Sequence, residues 1–264
     1  MNNEDFAKEI RKLTLELIFQ SKSSHIGGAF SMVELIAVLY NSVANIDSKS
    51  PLSPGRDRIF LSKGHACSSL YAALALKGFF PREELLRQYA KNGSIFTSHA
   101  SHHVAGVELS TGSLGHALSF AVGSALAARV KKQNWKSYVI LSDGELNEGS
   151  NWEAIMLAGQ HKLNNLVVLI DANKIQSLGN TKDVIDLSSL DIKLNSFGWK
   201  ATEIDGHDVN QIEKTLLSHN YEKPLAIVAN TIKGKGVSFM ENELLWHYKS
   251  PDEDEYIKAM EELS

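Results

Sequence analysis

Two uninterrupted apolar runs, residues 138–141 and 166–170, flank a segment of helical periodicity at 151–161. Short runs with no polar residue on either face have to be covered on both sides. A helix between them returns the second run parallel to the first. The chain is thereby constrained to a β-α-β unit inside a layered α/β fold. Each run ends in polar residues: Ser142-Asp143-Gly144 closes the first and Asp171-Ala172-Asn173-Lys174-Ile175 the second.

The remaining segments extend the same alternation. Phe6, Ile10, Leu13 and Leu17 recur at helical spacing, which predicts an amphipathic helix over 4–20. Ser31 and Glu34 have capping-box spacing and predict a helix over 31–43. A strand is expected at 58–61, a small-residue helix from Ala66, and a helix over 81–90 with Pro81 in its first turn. Residues 91–115 lack periodicity and are rich in Gly, Ser, Thr and His, and long loops in compact domains are more often functional than idle. A Gly- and Ala-rich helix is expected over 118–131, strands at 200–204 and 225–229, and a helix at 209–219 between them. In the tail, Ser250, Pro251 and Glu253 predict a capped final helix. The fold class read from this pattern is α/β, a doubly wound, mostly parallel sheet with helices on both faces. It forms a single domain over 1–264.

Composition narrows the function. Net charge is −4 with both signs interspersed, which gives no electrostatic case for nucleic acid or an anionic membrane. No apolar run approaches the ~20 residues that span a bilayer. The acidic start does not read as a secretory or transit segment, and the single cysteine, Cys67, fits a reducing compartment. These features read as a cytoplasmic protein. No Gly-x4-Gly-Lys-Ser/Thr occurs, which excludes a P-loop nucleotide site.

In open parallel sheets, ligands bind beyond the carboxyl ends of the strands. Asp143 and Asn173 both fall there, on adjacent strands. A hard cation takes oxygen ligands, with phosphate oxygens and water completing its shell. Asp143 offers a carboxylate, Asn173 an amide oxygen and Ile175 a backbone carbonyl. Gly144 lets the backbone approach a phosphate without a Cβ in the way. Taken singly, Asp143-Gly144 also reads as a strand-end turn and Asn173 as a helix cap. Together they point to a metal-anchored diphosphate.

Asp143-Gly144, followed a β-α-β unit later by Asn173-Lys174-Ile175, resembles the thiamine-diphosphate binding motif. The surroundings resemble transketolases specifically. Ser23-Ser24-His25-Ile26-Gly27-Gly28 is similar to their first histidine loop and Ser62-Lys63-Gly64-His65 to their second. His99 with the run from Gly106 to Gly115 is similar to the third, and Gly234-Lys235-Gly236 followed by Trp246-His247 to the last. The resemblance runs from His25 to His247. Four departures stand out. Ser142 replaces the first glycine of the motif and Ala172 a polar residue. His116-Ala117 stands where Gln-Gly is frequent, and Tyr248 where glycine is usual.

The resemblance implies thiamine diphosphate and Mg²⁺ (or Ca²⁺) as cofactors, with Asp143, Asn173 and Ile175 holding the metal. It implies that His65, His247, Gly112, Leu114, Asp143, Gly144 and Asn173 bind the cofactor. His25 and His99 would face substrate hydroxyls; with His247 and Glu148 they form the implied catalytic set. Glu148 would sit near a partner interface, although a negative charge in a first helical turn has a dipole role as well. Lys233 and Lys235 read equally as point charges near the diphosphate and as solvated loop residues. His207 reads as structural. Transketolases of this family have further domains, and this chain resembles only the diphosphate-gripping one. The implied partner is therefore a C-terminal, pyrimidine-binding transketolase subunit, in a heterotetramer that transfers a two-carbon ketol unit between sugars. Two other readings stay open: the α-subunit of another two-chain thiamine-diphosphate enzyme, such as a 2-oxoacid dehydrogenase or decarboxylase, and a non-catalytic homologue that binds metal only.

Overall fold

The computed structural model describes residues 1–219 and 222–264. Its strands are β1 (Arg58–Leu61), β2 (Ser137–Ser142), β3 (Leu166–Ala172), β4 (Ile175–Gln176), β5 (Gly179–Asn180), β6 (Lys200–Asp205) and β7 (Leu225–Asn230). Its helices are α1 (Asn3–Ser21), α2 (Ile26–Ser31), α3 (Val33–Val38), α4 (Cys67–Leu76), α5 (Arg82–Gln88), α6 (Ala117–Val130), α7 (Gly149–Gln160), α8 (Thr181–Val184), α9 (Leu190–Ser196), α10 (Val209–Leu217) and α11 (Glu253–Glu262). A five-stranded sheet runs β1-β2-β3-β7-β6 with every pairing parallel. β4 and β5 form a separate two-stranded antiparallel hairpin.

The apolar runs have the expected cause. Successive strand side chains point to opposite faces. Tyr138, Ile140, Val167, Leu169 and Ile227 join one core with residues of α1, α3, α4 and α10. Val139, Leu141, Val168, Ile170 and Val228 join a second core with α6, α7 and α9. Both faces are buried, so neither face tolerates a polar residue. A third cluster unites Leu15, Ile18, Ile26 and Phe30 with Val237, Met240, Trp246, Ala259 and Leu263. It fastens the C-terminal segment over α1 and α2, and His247 O accepts the backbone N–H of His25 at 3.1 Å.

Three local expectations are corrected. The helix foreseen over 31–43 is preceded by α2, which already starts at Ile26, and beyond a break at Met32 it consists of α3 and a π-helical turn at Leu39–Val43. Ser31 does not cap. Its hydroxyl donates to Gly28 O and to Asp171, while Glu34 is held by Arg11 and His207. The final helix is capped by Asp252 with Glu255 in reciprocal bonds, and Ser250 instead donates to Ile18 O. Pro81 is the N-cap of α5 and not a first-turn residue. The helix stops at Gln88, because Tyr89 is extended and Ala90 adopts φ 55°.

Glu34 is the centre of a buried tie. Arg11 pairs with it at 2.6 Å, and His207 Nδ1–H donates to it at 3.0 Å. His207 Nε2 in turn accepts the backbone N–H of Ile232 at 2.8 Å, which assigns a neutral imidazole with its proton on Nδ1. Burial alone would raise the Glu34 pKa, but the Arg11 charge and the His207 bond outweigh it and bring it down to about 2. This links α1, α3 and the loop after β7. Removing one partner of a buried pair strands the other's charge. Glu34→Gln should therefore cost about 3 kcal/mol in urea unfolding; wild-type stability would show that the tie is not structural.

Candidate cofactor site

The sheet's carboxyl end collects the polar segments. The tip of β1 delivers Ser62-Lys63-Gly64-His65, that of β2 delivers Asp143-Gly144, and that of β3 ends in Asp171-Ala172 before Asn173 and Ile175. The tip of β7 leads through Thr231 to Lys233. Residues 91–115 form no helix or strand. They fold back against these tips, with Ala100 N–H donating to Gly64 O and Thr111 Oγ to Leu61 O.

Asp171 joins the tips. It is wholly buried and pairs with the Lys63 ammonium, itself almost fully buried. Its carboxylate also accepts from Ser31 Oγ at 2.6 Å, from Asn173 Nδ2 at 3.0 Å and from Thr231 Oγ1. Burial alone would raise the Asp171 pKa; the Lys63 charge and these donors reverse that and hold it below its ordinary value. Lys63 also donates to Gly28 O at 2.9 Å, which draws in the loop bearing His25.

A cavity of about 220 Å³ opens above this network. His25, His65, His99, Leu114, Asp143, Gly144, Asn173, Ile175 and His247 line it, with Lys63, Lys233, Gln176 and Ser177 among the others. The four imidazoles form one cluster. His25 lies 5.1 Å from His65, 5.0 Å from His247 and 6.0 Å from His99, centre to centre. His25 holds φ 73°, a left-handed conformation that is uncommon outside glycine and concentrates at functional sites.

The electrostatics follow from burial among cations. His25 is lowered to about 4 by burial, then by His99, Lys233 and Lys63. His247 is lowered to about 3 by burial and Lys233, and His65 is held well below its ordinary value by burial and Lys63. These three imidazoles are neutral at neutral pH. Lys233 is lowered to about 8 by burial and by Lys63. Asp143 is raised to about 6 by burial and by the nearby Asp171, against the N–H groups of Lys174 and Gly144.

The oxygen set suits a hard cation. Asp143 Oδ2 accepts from Lys174 N–H and Oδ1 from Gly144 N–H. Because the Asn173 amide nitrogen is committed to Asp171, its Oδ1 faces the other way, where it accepts Ile175 N–H at 3.1 Å. The Ile175 carbonyl accepts from Lys233 at 3.0 Å and keeps a second lone pair. Among the described residues no group of three or more His, Cys, Asp and Glu side chains is placed to hold a metal ion by itself. A cation here needs oxygens from an anionic ligand in the cavity, and its charge would relieve the buried Asp143 carboxylate. The residues present fit a diphosphate-bound cation.

The other expected residues lie outside the cavity wall. Gly112 sits behind His99, where a Cβ would come within 2.8 Å of His99 Cδ2, so the glycine admits the imidazole. Glu148 is exposed at the N-cap of α7, against Gly115. The buried acid of that segment is Glu145, which accepts from Ser62 Oγ and from Gly115 N–H at 2.8 Å. Of the two loop lysines, Lys233 is buried in the site, while Lys235 pairs with Glu241 at the surface. Lys63, Asp171, Glu145 and Gln176 received no role from the sequence. Lys63 and Asp171 each adjoin a motif residue at a strand tip, and that position was the available signal.

Comparison with known proteins places these features. Residues 2–263 match the family described as transketolase, thiamine diphosphate binding domain. The chain is 40% identical over 256 residues to an apulose-4-phosphate transketolase subunit of Phocaeicola vulgatus, covering 96% of this chain and 91% of that one. It is 42% identical over 260 residues to 6-deoxy-6-sulfo-D-fructose transketolase subunit SqwG of a Clostridium species, covering 97% and 94%. The crystal structure of transketolase from Campylobacter jejuni superposes with a TM-score of 0.94 at 30% identity. It covers all of this chain, which spans 43% of that enzyme.

Protonation of His25 has a measurable consequence. Its folded pKa of about 4 lies below the ordinary 6.5, so the stability it contributes is complete above 6.5 and declines as pH falls towards 4, where the unfolded chain binds the extra proton. His65 and His247 act in the same direction. Melting temperature should fall across this window, and fall less steeply in His25→Gln; identical slopes would show that His25 is not held neutral.

Proposed function

The chain belongs to the family of transketolase thiamine-diphosphate-binding domains, and on that premise we propose that it is the diphosphate-binding subunit of a two-chain transketolase. One observation carries the proposal. The Asp143, Asn173 and Ile175 oxygens and four histidines line a single cavity at the sheet's carboxyl end. Similarity to relatives that are themselves named as transketolase subunits supports a separate partner. On this reading residues 1–264 form one domain of a cytoplasmic enzyme, and a C-terminal, pyrimidine-binding subunit completes the active site in a heterotetramer. No helix among the described residues is long and apolar enough to cross a membrane.

Bound thiamine diphosphate supplies a nucleophilic carbon and an electron sink for ketol transfer from a ketose phosphate to an aldose phosphate. The chain's own residues bind, orient and manage protons. Asp143, Asn173 and Ile175 hold Mg²⁺ or Ca²⁺. Gly144 admits the diphosphate. Lys233 Nζ lies 3.1 Å from His247 Nδ1; the ammonium donates, so the imidazole proton stays on Nε2. His247 thereby serves as a neutral donor to the diphosphate, and the neutral His65 serves beside it. His25 and His99 exchange hydrogen bonds with sugar hydroxyls, and a neutral imidazole both donates and accepts. Leu114 and Gly112 pack by the cofactor's rings. Glu148, exposed next to the cavity loop, joins a carboxylate network with the partner. The sugar-facing pair His25 and His99 favours ketol transfer over 2-oxoacid decarboxylation, which has no polyhydroxylated substrate to orient.

Two variants test the assignment. Asp143→Ala should abolish metal-dependent binding of thiamine diphosphate in a calorimetric titration; wild-type affinity would remove the site. In enzyme reconstituted with its partner, His99→Ala should lower kcat for ketol transfer about a hundredfold while cofactor affinity holds. An unchanged kcat would remove its role, and pyruvate decarboxylation without ketol transfer would replace the function.

A further inference from the structure

One buried polar atom of a cavity-lining side chain is left unsatisfied by its surroundings. Gln176 lies on the β4–β5 hairpin and lines the cavity beside Asp143, Gly144 and Lys233. Its Nε2 is buried and has no hydrogen-bond acceptor. Among the described residues no other cavity-lining side chain has a buried donor in this condition. Of the nearby donors, Lys63 is bonded to Asp171 and Gly28 O, Lys233 to Ile175 O and His247, and the Gly144 N–H to Asp143. A buried donor without an acceptor costs free energy and calls for a partner the chain itself does not provide.

The position of Gln176 indicates which partner. It lies over Gly144: a Cβ on that glycine would come within 2.9 Å of Gln176 Cβ and 3.4 Å of its Oε1. It directly follows Ile175, whose carbonyl belongs to the cation-holding set. An amide N–H₂ repels a cation and serves an anion. The imidazoles of His25 and His99, at which sugar hydroxyls are expected, belong to other loops. Resting on the reading of this cavity as a thiamine-diphosphate site, we propose that Gln176 is a further cofactor-binding residue, its side-chain amide donating to a phosphate oxygen of the diphosphate. The hairpin would thus hold both partners of the anchor, the cation through Ile175 and the anion through Gln176.

The test titrates magnesium pyrophosphate and magnesium thiamine diphosphate separately into the full chain by calorimetry, for wild type, Gln176→Leu and Gln176→Glu. Gln176→Leu should weaken both ligands about tenfold, the loss of one hydrogen bond to a charged group. Gln176→Glu keeps the size and places a carboxylate against the phosphates, so it should weaken both further. Wild-type affinity for both ligands in either variant overturns the proposal and leaves the cofactor site standing. Weakened thiamine diphosphate with unchanged pyrophosphate also overturns it, because the contact is then with the rings. If wild type binds neither ligand, the cofactor reading falls and the role of Gln176 falls with it.

Discussion

The buried contact between Lys63 and Asp171 is the constraint from which the rest of the site follows. Desolvation offsets much of the attraction in such a pair, so its net contribution to stability is small. Its consequence is geometric. One carboxylate at the tip of β3 fixes a lysine from the tip of β1, a serine from α2, a threonine from the tip of β7 and the amide of Asn173. Three other chain segments are thereby registered on the tip of β3. The orientation of Asn173 Oδ1, and the closeness of the His25 loop through Gly28 O, both depend on it.

On the proposed reading, the charges around this hub suit a ligand that is itself of mixed sign. Lys63 and Asp171 neutralise each other, whereas among the described residues Lys233 and Asp143 each lack an ion-pair partner, and burial works against the ionised form of both. A metal diphosphate would bring a cation to the carboxylate and an anion to the ammonium at once. Neither half alone would satisfy both groups. The neutral imidazoles fit the same logic, because they can offer N–H groups without adding charge to a crowded interior.

Much of the architecture was legible in the chain, because it rests on periodicity. The apolar runs at 138–141 and 166–170 sit inside β2 and β3, and the parallel pairing follows from the helix between them. Local signals that compete with tertiary partners were not legible. Ser31 and Glu34 have the spacing of a cap, but Asp171, Arg11 and His207 claim their side chains, and spacing carries no trace of that. The histidine loops were legible as motifs. The burial of Lys63 and Lys233 was not, since lysine is ordinarily a surface residue. Nor could the sequence rank two glutamates three positions apart: the structure encloses Glu145 and exposes Glu148.

The strand order carries a consequence for biogenesis. β7 lies between β3 and β6, yet it is synthesised after both. As the nascent chain emerges, β6 has no neighbour to pair with, and the open edge of β3 waits unprotected until residue 225 has left the ribosome. Thr231, Lys233 and His247 follow only then. Assembly of the cavity therefore coincides with closure of the sheet once β7 and the residues after it are made, so a message interrupted before then yields an incomplete sheet and no half-working pocket.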